Sequence, residues 1–126
     1  MMEENLQEIA ERIKDNDCPD VKRNIVFVED TLDVLHGKWT VPIIWALFKG
    51  NYRFKDIQRF APGLSDKILA QKLKKLQEDK LVERTEFQTY PPSSEYRLTE
   101  HGISLYKVLS MLMEWGGEHR RLMLEG

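Results

Sequence analysis

The chain has one cysteine, Cys18, among 126 residues. A lone thiol cannot close an intramolecular disulfide, so any redox chemistry must be intermolecular or involve a small thiol. No apolar run approaches the roughly 20 residues that span a bilayer, and the acidic opening MMEENLQEIAERIKDNDC lacks a signal-peptide core. A cytoplasmic protein without a membrane partner is therefore expected. Seven glycines and five prolines are scattered, with no tract of either, and 41% of residues are apolar, which places the chain among ordinary globular proteins. Its length leaves room for one core and no second catalytic domain. A nucleophile elbow, a P-loop and a dinucleotide glycine pattern are all missing, and no base is paired with a nucleophile, so no enzyme is expected. His36, His101 and His119 have no ligand-spaced Cys or carboxylate partners, so neither a metal nor another cofactor is expected; His119 beside Glu114 and Glu118 reads as a solvated helix end.

What the chain does have is an uneven charge. The net value is −2, which taken alone argues against an anionic partner. Residues 1–35 carry ten acids against four bases, and residues 76–126 nine against six. Residues 36–75 instead hold Lys38, Lys49, Arg53, Lys55, Arg59, Lys67, Lys72, Lys74 and Lys75 against only Asp56 and Asp66. A basic segment between acidic ones points at an anionic surface. The plainer alternative is a chance cluster of solvating lysines.

Apolar spacing predicts an amphipathic helix over residues 3–15 (Leu6, Ile9, Ala10, Ile13) and a second over 22–36 (Ile25, Val28, Leu32, Leu35), closed by His36-Gly37. Residues 40–49 are apolar nearly all round, with Pro42 in the first turn, and read as the buried core helix. A strand stub at Tyr52–Phe54 and a short helix over 54–60, with Phe54, Ile57 and Phe60 inward, precede the breaker Ala61-Pro62-Gly63-Leu64. Ser65 then caps a helix running to about Asp79. Two short helices around a glycine-containing turn form a helix-turn-helix pattern. Residues 81–87 and 95–98 alternate with period two about a polar linker, 88–94, and so predict a hairpin. Helix-turn-helix followed by hairpin is a winged helix. Thr99 caps a last helix from Glu100 to about Met123, whose apolar residues cover more than its own core can meet. The expected fold class is mainly α with a small antiparallel β-wing, a winged helix-turn-helix whose last helix needs a further partner. Its divisions are an N-terminal arm at 1–24, the winged core at 25–99 and the dimerisation helix at 100–126. Trp39, Trp45 and Trp115 are expected in the core or at the dimer seam; no convergent polar groups mark a ligand cleft between them.

With Leu69 at the core and about 100° per residue, Leu73 and Leu76 fall within about 40° of it. Lys67, Ala70, Gln71 and Lys74 then share the opposite face, with Lys75 at its margin and Ser65 at the N-terminus. Lysine suits phosphates and guanine edges, glutamine suits adenine, and alanine admits a thymine methyl. Lys55 on the preceding helix, and Arg84, Ser93 and Ser94 on the wing, complete the candidate contacts with double-stranded DNA. A solubilising helix face and a structural wing loop are the competing readings. They correspond to a dimeric winged-helix adaptor that binds other proteins and not specific DNA.

Several strings resemble the HxlR-type (MarR-related) winged-helix regulators. These are Thr31-Leu32-Asp33-Val34-Leu35-His36-Gly37-Lys38-Trp39, Arg53-Phe54-Lys55-Asp56-Ile57, Pro62-Gly63-Leu64-Ser65-Asp66-Lys67-Ile68-Leu69, Leu73 with Leu76-Gln77-Glu78-Asp79, Leu81-Val82-Glu83-Arg84, Tyr96-Arg97-Leu98-Thr99-Glu100-His101-Gly102 and Glu114-Trp115. The resemblance covers residues 28–116 in order and implies a homodimeric, DNA-binding transcriptional regulator that dimerises through its N- and C-terminal helices; repression by occluding polymerase is a simpler expectation than activation. Members of that family often sense thiols or electrophiles through a Cys-Pro pair, which implies a small-molecule or electrophile effector. This chain has Cys18-Pro19, about eight residues ahead of the family position, which falls at Val26-Phe27. The sensor role is not carried over by position, and Cys18 stands as either a redox sensor or an inert thiol.

Overall fold

A computed structural model describes residues 5–15 and 21–125. The chain forms two units, residues 1–33 and 34–126. In the first unit, α1 (Leu6–Asp15) is preceded by Asn5, whose side-chain oxygen accepts from the Gln7 N–H at 2.8 Å. Helix α2 (Val21–Leu35) begins in this unit and ends in the second. Its apolar residues Ile25, Phe27, Val28 and Leu32 each keep about half their surface accessible.

The second unit is built on α3 (Thr40–Phe48), where Ile43, Ile44 and Ala46 are fully buried, as the continuous apolar run predicts. Around it lie α4 (Phe54–Phe60), α5 (Asp66–Glu78), strands β1 (Val82–Phe87) and β2 (Ser93–Leu98), and α6 (Glu100–Glu125). Ile57 from α4, Leu69, Leu73 and Leu76 from α5, and Leu105 and Leu109 from α6 close one core. The strands pair antiparallel from Val82 opposite Leu98 to Phe87 opposite Ser93. The fold is mainly helical with a two-stranded wing, as expected. Among the described residues, no helix is long and apolar enough to cross a membrane.

Three local expectations change. The strand stub at Tyr52–Phe54 shrinks to one ladder-like bond, from the Tyr96 N–H to the Tyr52 carbonyl at 2.8 Å. Phe60 is 39% exposed, because α4 ends there and Ala61 and Leu64 fill the interior positions instead. Strand β2 starts at Ser93 and not Glu95, since Ser93 and Ser94 stay in register with Phe87 and Glu86 and shorten the tip to 88–92.

The end of α5 departs from the usual glycine stop. The Leu81 N–H reaches the Leu76 carbonyl at 2.9 Å and the Lys80 N–H reaches Gln77 at 3.0 Å, the two bonds of a Schellman motif. Its left-handed position is taken by Lys80, at φ 63. The start of α6 docks on the same spot. Thr99 donates its hydroxyl to the Lys80 carbonyl at 2.7 Å and accepts from the Gly102 N–H at 3.0 Å, while its own N–H bonds Leu81 at 3.0 Å.

Candidate nucleic-acid interface

The turn between α4 and α5 is fixed from both sides. Ser65 accepts from the Ile68 N–H at 3.2 Å, the N-cap its position predicts. Gln58 on α4 donates to the Leu64 carbonyl at 3.1 Å and to Asp66 at 2.6 Å, tying the end of one helix to the start of the next. Gly63, at φ +95, lies beneath the Trp39 indole, whose Cη2 would stand 3.5 Å from a Cβ there. The Lys38 ammonium lies 5.0 Å from the Trp39 ring centroid. The Lys72 side chain crosses Gly37, where a Cβ would meet its Nζ at 2.7 Å. The string Gly37-Lys38-Trp39 is thus a brace for the helix-turn-helix, made of an indole against the turn and a bare glycine under a lysine stem.

Beside that brace, α5 presents one outward face. Leu69, Leu73 and Leu76 are at most 1% exposed. Lys67, Ala70, Gln71 and Lys74, spaced by three and four residues, are exposed together on the other side. Ser65 and Lys75 are exposed at its margins, with Lys75 3.0 Å from Asp79, and Lys55 is exposed on α4. On the wing, Arg84 bonds Ser94 at 3.0 Å and Glu86 at 2.7 Å through the same nitrogen. Ser93 lies 3.3 Å from the Thr89 hydroxyl. Arg84, Ser93 and Ser94 line one cleft of about 440 Å³ with Phe87, Gln88 and Thr89. Cys18 lies outside the described residues.

The basic field is smaller than the sequence count suggests. Arg59 pairs with Asp56 at 3.0 Å, Lys75 with Asp79, and Arg53 with Glu95 at 3.7 Å. Lys55, Lys67, Lys72 and Lys74 make no ion pair among the described residues, and three of these four are well exposed. Sequence reasoning passed over Tyr52, Arg53 and Glu95 as site residues. The available signal was the Glu95-x-Arg97 spacing, which puts both side chains on one face of β2.

A helix-turn-helix braced in this way, followed directly by a two-stranded wing, defines a winged-helix transcription regulator. The chain belongs to the HxlR-like helix-turn-helix family, whose profile matches residues 34–123. It is 38% identical over 98 residues to the HTH-type transcriptional regulator YtcD of Bacillus subtilis, covering 78% of each chain. The crystal structure of YtcD superposes with a TM-score of 0.70, covering 75% of this chain and 96% of that one. The reduced form of the redox regulator HypR is 33% identical at a TM-score of 0.71, covering 79% and 98%. A MarR-family regulator from Enterococcus faecalis is 29% identical at 0.72, covering 89% and 99%. The protein is a transcriptional regulator of helix-turn-helix type, in a family of regulators and not enzymes.

Proposed function

We propose that the protein binds duplex DNA sequence-specifically as a cytoplasmic homodimer and represses transcription by occupying its operator. The observation that carries this is the outward face of α5, where Lys67, Ala70, Gln71 and Lys74 stand exposed with neither lysine in an ion pair among the described residues. In the major groove, Gln71 and Lys74 read base edges, Ala70 makes room for a thymine methyl, and Lys67, Lys75 and Ser65 hold phosphates. Lys55 meets the backbone from α4, and Arg84, Ser93 and Ser94 meet it from the wing.

Residues 25–99 form the DNA-binding core, flanked by a dimerisation arm at 1–24 and a dimerisation helix at 100–126. The long apolar surface of α6 supports this, since Ile103, Met111, Leu112, Met113 and Trp115 all remain about half exposed or more. Two recognition helices about 34 Å apart then require a pseudo-palindromic operator. HypR is a redox regulator; whether this chain takes an electrophile effector through Cys18 is read by treating it with diamide and measuring operator affinity.

Selection from random duplex followed by a salt titration tests the DNA reading. Binding should weaken steeply with salt, at a log–log slope of about −0.9 per phosphate contacted. Replacing Gln71 and Lys74 together by alanine should cost about 1–3 kcal/mol for each base edge that is no longer read. Negligible affinity for any duplex at low salt would leave a protein-binding adaptor in its place.

A further inference from the structure

Glu95 occupies a position that its contribution to stability does not explain. Its side chain is only 16% exposed, and its two carboxylate oxygens are divided between two arginines. Oε1 accepts from Arg97 Nε at 3.2 Å and Nη2 at 3.0 Å, and Oε2 lies 3.7 Å from Arg53 Nη2. The Arg97 guanidinium is stacked 4.0 Å above the Tyr52 ring, and the Tyr52 carbonyl accepts the Tyr96 N–H. Residues 52–53, which lead into α4, are thereby laced to residues 95–97 of the wing. Both arginine side chains remain more than half exposed, so the pairs are largely screened and hold little of the fold together. Their effects are on charge and aim: the one carboxylate offsets one of the two positive charges and orients the wing strand beside the segment that leads into α4.

We infer that Glu95 is a specificity-setting positioning residue. It withholds Arg53 and Arg97 from indiscriminate phosphate binding and holds the wing in register with α4. This rests on the DNA-binding reading above. Sequence-independent affinity grows with every cation free to displace a counterion, whereas operator affinity depends also on where the wing sits. Removing the carboxylate charge therefore raises the first more than the second, and discrimination falls.

The test compares random duplex with the selected operator for wild type, Glu95→Gln and the triple variant Arg53→Met, Glu95→Gln, Arg97→Met. In 0.1 M salt, Glu95→Gln should bind random duplex about three- to tenfold more tightly, with a log–log salt slope steeper by about one to two. Its operator-to-random ratio should fall, and the triple variant should lose the gain. A structural defect alone would weaken both duplexes together. Unchanged or weakened random-duplex binding by a folded Glu95→Gln, or a gain that persists in the triple variant, overturns the assignment while leaving DNA binding intact. Wild-type protein that binds neither duplex overturns both readings.

Discussion

The carbonyl oxygen of Leu81 lies 2.1 Å from the point where a Cβ on Gly102 would stand. Real side chains do not approach backbone so closely, so α6 reaches the wing only because residue 102 has none. Gly102→Ala gains the roughly 1 kcal/mol of helix propensity that glycine forfeits, but it must push α6 off Leu81 and stretch the three Thr99 and Gly102 bonds there. The expected result is a net loss of about 2 kcal/mol in urea unfolding. A variant as stable as wild type would show that the helix moves aside freely.

Lys80 gives the opposite expectation. It holds the left-handed position of the Schellman motif at φ 63, where a Cβ costs about 1 kcal/mol or more and glycine costs nothing. Its carbonyl contact with Thr99 is backbone and survives substitution. Lys80→Gly should raise stability by about 0.5–1 kcal/mol, read as a higher urea midpoint at unchanged slope.

Ser65 has a structural duty as well as its proposed place at the DNA, and the two separate experimentally. Ser65→Ala removes the acceptor of the Ile68 N–H and should cost about 1 kcal/mol of folding stability. Ser65→Asp restores the cap in the unfolding assay but places a negative charge at the proposed phosphate site. It should weaken duplex binding while folding normally; operator affinity equal to wild type would remove Ser65 from the interface.

The exposed apolar surface of α6 predicts self-association. Trp115, 68% exposed and stacked on His119 at 4.8 Å, and Leu112, 48% exposed, lie on its free length. Leu112→Glu with Trp115→Glu should shift sedimentation from dimer to monomer with little change in monomer folding, since neither residue belongs to the buried core. A wild type that sediments as a monomer would remove the proposed dimer, and a variant that still sediments as a dimer would place its interface elsewhere.

Much of the second unit was legible because its signals are periodic. The leucines of α5 recur on a helical stripe and are buried where the stripe points, and the nearly all-apolar run of α3 buries Ile43, Ile44, Ala46 and Leu47 while Val41 stays exposed. The hairpin was legible from alternation, but its burial was not. Beyond Val82 every residue of β1 is exposed, because the wing extends past the core and its alternation has no interior to face. Phe60 misled for a related reason, as helical spacing cannot show that the chain turns before a third inward residue is needed. Which face of α5 lies outward was readable from its own spacing. The Glu95 network was not, because Arg53 and Glu95 lie far apart in sequence and meet only after the wing folds back. The stop of α5 near Asp79 was legible, but not its form, because the left-handed turn is carried by Lys80, a residue that does not announce one.

The meeting of Thr99 with Lys80 and Leu81 also has a consequence for what the wing can tolerate. The chain leaves the core at Leu81 and re-enters it at Thr99, and the two are joined by a 3.0 Å hydrogen bond. The hairpin is consequently a closed excursion: residues added or removed at its tip, 88–92, lengthen or shorten the excursion without displacing the point where α6 begins. That makes the tip a natural insertion point for a short tag or probe, and a part whose length can drift between relatives while the rest of the architecture stays put.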